Sequence, residues 1–454
     1  MKSELKFLCP NGHLGFGPTK EASFRIGVAA NPDYILCDSG SDDIGPGPLG
    51  ADISTSLKST QIHDLELMFV ESRRLGVPMI IGSAGDNGTN SRVDMYVQII
   101  KDLAKKYNTP PFKLGYFYSE VSKQYLMDVM ASGDKIEGLD GRKDLTLEEL
   151  EKTDRIVAVA GVHPFIKLLN EGADVIIGGR CSDCVIFAAP AIQQGFPEAL
   201  SYYLGKVLEC ASFCAEPYGG KESVIGTISQ NDVKVTAMHP DQMCTIASVA
   251  GHAMYERSNP FFEYVAGGMM DMTNCKYEQF DKKTCRITGP EFVPIEGRVK
   301  VKLEGSGKVG ERFIGIAGIR DPYTIKNIDK VIQWAKDQVR ERFGEDGYEL
   351  HYIVYGKNGV MGDLEPIKET QSHELCIVVH GVAPTEEMAE EVAMLGTRQM
   401  FYARLPEVKG TAGSVAFTVD EVIKATPAYM WTMDHTVAVD DPLSLFETHV
   451  IDVA

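Results

Sequence analysis

Four times in its first 190 residues or so the chain repeats one unit: a short apolar or β-branched run, a glycine-rich polar loop, then a stretch with helical periodicity. Leu5–Cys9 leads into Pro10-Asn11-Gly12-His13-Leu14-Gly15 and a helix near Thr19–Ala30. Tyr34–Cys37 leads into Asp38-Ser39-Gly40-Ser41-Asp42-Asp43, a Gly/Pro-rich loop to about Asp52, and a helix over Ile62–Leu75. Pro78–Ile81 is followed by Gly82-Ser83-Ala84-Gly85-Asp86-Asn87-Gly88 and a helix over Ser91–Tyr107. Ala173–Ile177 is followed by Gly178-Gly179-Arg180-Cys181-Ser182-Asp183 and a helix towards Gln194. Lys113–Tyr118 and Arg155–Ala160 read as further strands. Strands alternating with helices need crossover connections, which are right-handed and give parallel pairing. The expected class is therefore α/β, with a largely parallel sheet and flanking helices in the N-terminal half. In such a sheet these loops share one edge, where ligands bind.

The pattern changes after about residue 215. Ser223–Gln230, Val233–Ala237, Cys285–Thr288, Arg298–Glu304 and Phe313–Gly318 read as shorter, more antiparallel strands. A helix over Tyr323–Phe343, strands near Tyr348–Tyr355 and His373–His380, and an amphipathic helix over Thr385–Leu405 follow. Thr385 is its expected N-cap, with Glu386 and Glu387 in the first turn. The expected organisation is an α/β ligand-binding domain over 1–215 and a smaller α+β domain over 216–454 that completes the cleft.

With 454 residues the chain can bury a full core, and 44% hydrophobic with 24% charged residues suits a folded globular protein. A formal net charge of −19 and the lack of any basic run argue against nucleic acid or an anionic membrane surface as partner. Met1–Leu8 has no apolar signal region, and no apolar run approaches the roughly 18–20 residues that span a bilayer. Ten scattered cysteines, with Cys9, Cys37 and Cys376 inside apolar runs, fit reduced thiols. The expected location is the cytoplasm.

Among the loops, Gly179-Arg180-Cys181-Ser182-Asp183 is the most informative. Its glycines permit close backbone approach, and the following helix offers free N–H groups to an anion. Arg180 is a candidate fork for a carboxylate or phosphate. The blander alternative is that Ser182 or Asp183 caps the helix and Arg180 pairs with it. Asp38, Asp42 and Asp43 are close enough in sequence to share a divalent cation such as Mg²⁺, and Asp38 is also a candidate general base. Asp86 and Asn87, beside Gly85, end the third strand, and Asn11 and His13 end the first; Asp86 and His13 are further acid/base candidates. Each has a purely structural alternative in turn formation and capping. His63 beside Asp64 reads as a helix-surface pair. Cys181-x₂-Cys184 and Cys210-x₃-Cys214 have permissive zinc spacing, and Cys181 at a helix start is a candidate nucleophile. There is no phosphate-binding GK[ST] loop, and Gly12-x₂-Gly15-x-Gly17 lacks dinucleotide-binding spacing, so neither ATP nor NAD is expected.

Several segments resemble the acyclic terpene utilisation protein A family. The first is Gly172-Ala173-Asp174 continuing through Gly179-Arg180-Cys181-Ser182-Asp183. The second is His252-Ala253-Met254-Tyr255-Glu256-Arg257-Ser258-Asn259-Pro260, followed in family order by Gly267-Gly268-Met269-Met270-Asp271 and Thr288-Gly289-Pro290. Asp33-Tyr34-Ile35-Leu36-Cys37-Asp38 is similar to the family's second strand. The resemblance runs from about residue 6 to 445 and is strongest over 155–292. The chain departs from the family at residues 82–88 and 39–43. The resemblance implies catabolism of a branched or unsaturated carboxylic acid or its acyl-CoA thioester. It also implies a small partner protein of about 100 residues, the size of one domain. It makes the polar set His252, Tyr255, Glu256 and Asn259 a candidate cleft wall, one face if the segment is helical.

The leading expectation is a metabolic enzyme of lyase or hydratase/isomerase type. Arg180, Gly179, Ser182, Asp183, Gly85, Asn87, Asn11, His252 and Tyr255 would bind substrate, and Asp38, Asp86, His13 or Glu256 would move a proton. The alternative is a non-catalytic large subunit that binds an acyl ligand and works with the small partner. A homo-oligomer is expected for either.

Overall fold

The computed structural model describes residues 2–406 and 414–454. The chain forms two compact units, 1–306 with 431–454, and 307–430. The expected boundary near residue 215 falls inside the first of these.

The first unit is built on a ten-stranded sheet. Its middle is the parallel set expected from the repeats: β1 (Glu4–Cys9), β2 (Tyr34–Gly40), β3 (Met79–Asp86), then Val175–Ile177 and β4 (Phe112–Tyr118). All four pairings within this set are parallel. β2 and β3 are buried along their whole length, as a sheet covered on both faces requires. The helices Lys58–Leu75 and Asn90–Lys106 make crossovers, and Phe69, Tyr96 and Ile100 are among the side chains they bury in the core.

The sheet as a whole is nevertheless mixed and mostly antiparallel, which corrects the largely parallel expectation. Beyond β1 it continues through Val224–Ser229, Val233–Ala237, Thr284–Thr288 and Lys276–Gln279, and beyond β4 it ends in Glu447–Val453. These five pairings are antiparallel. The reason is local. Three residues join Val224–Ser229 to Val233–Ala237, too few for a crossover, and the Ser229 hydroxyl tightens that hairpin by accepting from Asp232 N at 3.1 Å. Strands assigned by sequence to a second domain therefore extend the first.

Arg155–Ala158 lies outside this sheet and pairs antiparallel with residues 303–306. Those residues belong to one 21-residue strand, Val299–Ile319, where two short strands were expected.

In the second unit Leu375–Ala383 pairs antiparallel with residues 311–319 and with Glu349–Tyr355. Helices Ile328–Phe343 and Glu386–Tyr402 carry apolar stripes to a small core that includes Val331, Ala335 and Met400. The Thr385 hydroxyl caps the latter, accepting from Met388 N at 3.3 Å. The helix expected over 323–343 is two, Pro322–Lys326 and Ile328–Phe343.

Candidate functional site

In the first unit a cleft of about 600 Å³ opens beside residues 180–183. Its walls come from that loop, from the end of helix Glu198–Leu208, from 256–266, and from the strand carrying Lys300, Lys302 and Glu304. Two close approaches fix its floor. A side chain at Gly88, which holds φ +65, would collide with the backbone of Arg180. A side chain at Gly205 would collide with the carbonyl of Cys184, so the helix carrying Lys206 packs directly onto the start of Val185–Gln193.

Arg180 faces this cleft and is 5% exposed. Its guanidinium is already engaged: Nε donates to Glu304 Oε2 at 2.9 Å and Nη2 to Glu304 Oε1 at 3.2 Å. Nη1 reaches Asp183 Oδ1 at 3.3 Å and the Cys181 carbonyl at 3.1 Å. The expected open clamp is thus a closed, two-pronged ion pair. No side chain caps the following helix, so Ser182 and Asp183 do not serve as its cap.

Five cations and eight carboxyl side chains line the cleft. Each cation has a carboxylate partner. Besides Arg180–Glu304, these are Lys206–Glu209, Arg257–Glu263 at 2.7 Å, Lys300–Glu137, and Lys302 with Asp42 at 3.1 Å and Glu304 at 3.2 Å. Such crowding spreads the acids apart. Burial pushes Asp183 up to about 6, with Arg180 pulling the other way. Burial also drives Glu209 up to about 8, against Lys206 and helped by Glu263 and Asp183. At Asp42 burial is outweighed by Arg180 and Lys302, which hold it down to about 2. The side chain of Asp183 is 36% exposed to the cleft, whereas Glu209 is 7% exposed.

Of the residues singled out by sequence, Arg180, Ser182, Asp183, Asp42, Glu256 and Asn259 line the cleft. Glu256 holds φ +63, an uncommon conformation for a residue with a side chain, and burial beside Asp43 raises its carboxyl. The expected helical face through His252, Tyr255, Glu256 and Asn259 does not form, because helix Ile246–Ala253 ends before Tyr255. His252 and Tyr255 instead stack at 4.9 Å outside the cleft lining. Burial beside Lys206 and Arg257 holds His252 down to about 3, so its ring is neutral.

The strand-end residues hold the loops. Asp86 is fully buried and accepts from Thr55 N at 2.5 Å, Thr55 Oγ1 at 3.0 Å, Ser56 N at 2.8 Å and Ser56 Oγ at 2.7 Å. That leaves it no room to act as an open base. Asn87 donates to Pro48 O and Ile53 O, and Asn11 to Thr19 Oγ1 and Asp64 Oδ2. Gly85, at φ +63, packs against Arg92, and Gly179 against Ser119. Burial, with Lys221 and Arg180, holds His13 down to about 4; it lies outside the cleft lining.

The three aspartates of the second loop diverge. Asp38 is buried beneath the cleft, accepts from Gly40 N at 3.1 Å, and is raised well above the usual range by burial and Asp183. Asp42 pairs with Lys302, and Asp43 lines a smaller neighbouring cavity. Among the described residues no three His, Cys, Asp or Glu side chains are grouped to hold a metal ion, Mg²⁺ at the aspartates or zinc at the cysteines. Burial beside Asp38 pushes the Cys181 thiol far up, which opposes a thiolate nucleophile.

Sequence reading passed over Glu304, Lys302, Lys206, Glu209 and Glu263. A signal existed for some of them. Lys300, Lys302 and Glu304 alternate with Val299, Val301 and Leu303, which places three charges on one face of a strand. Lys206 sits alone in an otherwise apolar helix end, three residues before Glu209. Asp64, expected on a surface, is 1% exposed and accepts from Gly15 N and Thr19 N, organising the first loop.

The fold and cleft define a mixed α/β protein with an acid-rich cavity against the Arg180 loop. The family model for acyclic terpene utilisation family protein AtuA matches residues 58–440, and the chain belongs to that family. No curated protein and no solved structure matches it. Among the described residues no helix is long and apolar enough to cross a membrane.

Proposed function

We propose that this cleft is the active site of a metabolic enzyme that moves a proton on a branched or unsaturated acyl substrate, free or as its thioester, in a lyase or hydratase/isomerase reaction. One observation supports this above the rest: Asp183 and Glu209, in one cleft, are raised to about 6 and about 8, while Asp42 beside them is held near 2. Carboxyls driven apart by their surroundings supply both a base and an acid near neutral pH. Asp183, ionised at pH 7 and open to the cleft, takes the proton next to the carbonyl. Glu209, still protonated, is the donor. Arg180 orients Asp183 and carries no substrate itself, since Glu304 occupies its fork. Family membership supports a metabolic role in acyclic terpene utilisation.

The test is hydrogen–deuterium exchange at the carbon next to the carbonyl. Short branched acyl thioesters and free acids are incubated with the protein in D₂O and followed by mass spectrometry. Exchange with wild type that falls about 100-fold in Asp183→Asn, with the unfolding midpoint preserved, is the expected result. Equal exchange by that variant overturns the assignment.

A further inference from the structure

The cleft's charge pairing bears on which substrates it admits. We infer that the group entering beside Arg180 is uncharged, an ester, thioester or other neutral carbonyl, and that Glu304 and Glu263 set this specificity by neutralising the cations that would otherwise capture a free carboxylate. This rests on the cleft being the active site, and it decides between the acid and the thioester.

Three observations carry it. Every cation lining the cleft has a carboxylate of the chain within 4.0 Å; for Lys206, whose nearer partner Glu209 is protonated, that carboxylate is Glu263. Three enclosed pairs have little exposed charge: at the side chain Arg180 and Glu304 are 7% and 5% exposed, Lys206 and Glu209 5% and 8%, and Arg257 and Glu263 12% and 17%. Carboxyl groups outnumber cations eight to five, and negative charge stays in excess even with Glu209 protonated. An entering carboxylate would have to displace Glu304 or Glu263 from a desolvated partner and leave that acid buried and unpaired. A neutral carbonyl accepts a hydrogen bond without breaking either pair, and like charge on the walls does not repel it.

The experiment compares matched ligands by ligand-observed NMR on the full chain at pH 7.5: 3-methylbut-2-enoic acid, its methyl ester, its N-acetylcysteamine thioester, and 3-methylbut-2-enylamine. Wild type is expected to bind the ester or thioester at least about tenfold more tightly than the acid. Glu304→Gln frees Arg180 and should raise acid affinity about tenfold or more. Glu263→Gln frees Arg257 at a more open position and should do the same if the first variant folds poorly. Acid binding as tight as ester in wild type, or no gain for the acid in a folded variant, overturns the inference. Tighter binding of the amine than of the ester overturns it too, since the acid excess would then select a cation. The deuterium-exchange test reads proton transfer, so failure there and failure here are distinguishable.

Discussion

Two polar regions of the first unit look alike in sequence and behave differently in the structure. At the ends of β1 and β3, Asp86 and Asn87 are satisfied by loop backbone and hydroxyls, and Asn11 by the Thr19 hydroxyl and the Asp64 carboxylate. In the cleft wall, Arg180, Asp183, Lys206, Glu209 and Glu304 are satisfied chiefly by charged side chains, each other and Lys302 among them. A carboxylate surrounded by backbone N–H groups is a fixed structural anchor. A carboxyl surrounded by burial and competing charges has an altered proton affinity, and that is the property catalysis uses.

The largest expected effect breaks the second region. Glu304→Ala leaves Arg180 buried without its main partner and should cost about 3–5 kcal/mol in chemical denaturation. Glu304→Gln should cost clearly less. Asp86→Ala strikes the first region. It strands the Thr55 and Ser56 donors and should cost about 2–3 kcal/mol, without the change in ligand charge preference expected for Glu304→Gln. If Asp86→Ala is as stable as wild type, the contrast between anchor and reactive acid fails.

How much of this was legible follows the same division. Periodicity exposed the parallel strands because each is a continuous apolar run bounded by glycine-rich loops, and the crossover argument needs only local sequence. The outer strands escaped because their sheet membership depends on pairings across the chain, such as Leu5 with Ile228 and Val450 with Gly115. Arg180 and Asp183 were found because a glycine-rich strand end announces them. Glu304 and Lys206 sit inside regular elements, and nothing local says that a strand residue more than 120 positions away will fill the Arg180 fork. The same long-range pairing turned an expected substrate clamp into an internal ion pair.

A pH series sharpens the comparison. Glu209 is raised from 4.5 to about 8, so the fold prefers its protonated form. That preference stabilises fully below about pH 4.5 and is lost as pH rises to about 8. Glu209→Gln should remove this decline. His13 is lowered from 6.5 to about 4, so its contribution is present above about pH 6.5 and is lost as pH falls to about 4. His13→Gln should flatten the acid side. Denaturation midpoints between pH 4 and pH 8 read both slopes. The smallest effect is expected at the exposed Lys152–Glu148 pair, where Lys152→Ala should leave the midpoint unchanged within error.

The central claim is that the cleft keeps a carboxylic acid protonated at neutral pH for proton transfer. Infrared difference spectroscopy of wild type against Glu209→Gln at pH 7 measures this directly. A protonated-carboxyl carbonyl band that is weaker in the variant, and that titrates away in wild type near pH 8, is the predicted result. Identical bands in the two proteins would show that Glu209 is an ordinary carboxylate, and would contradict the account.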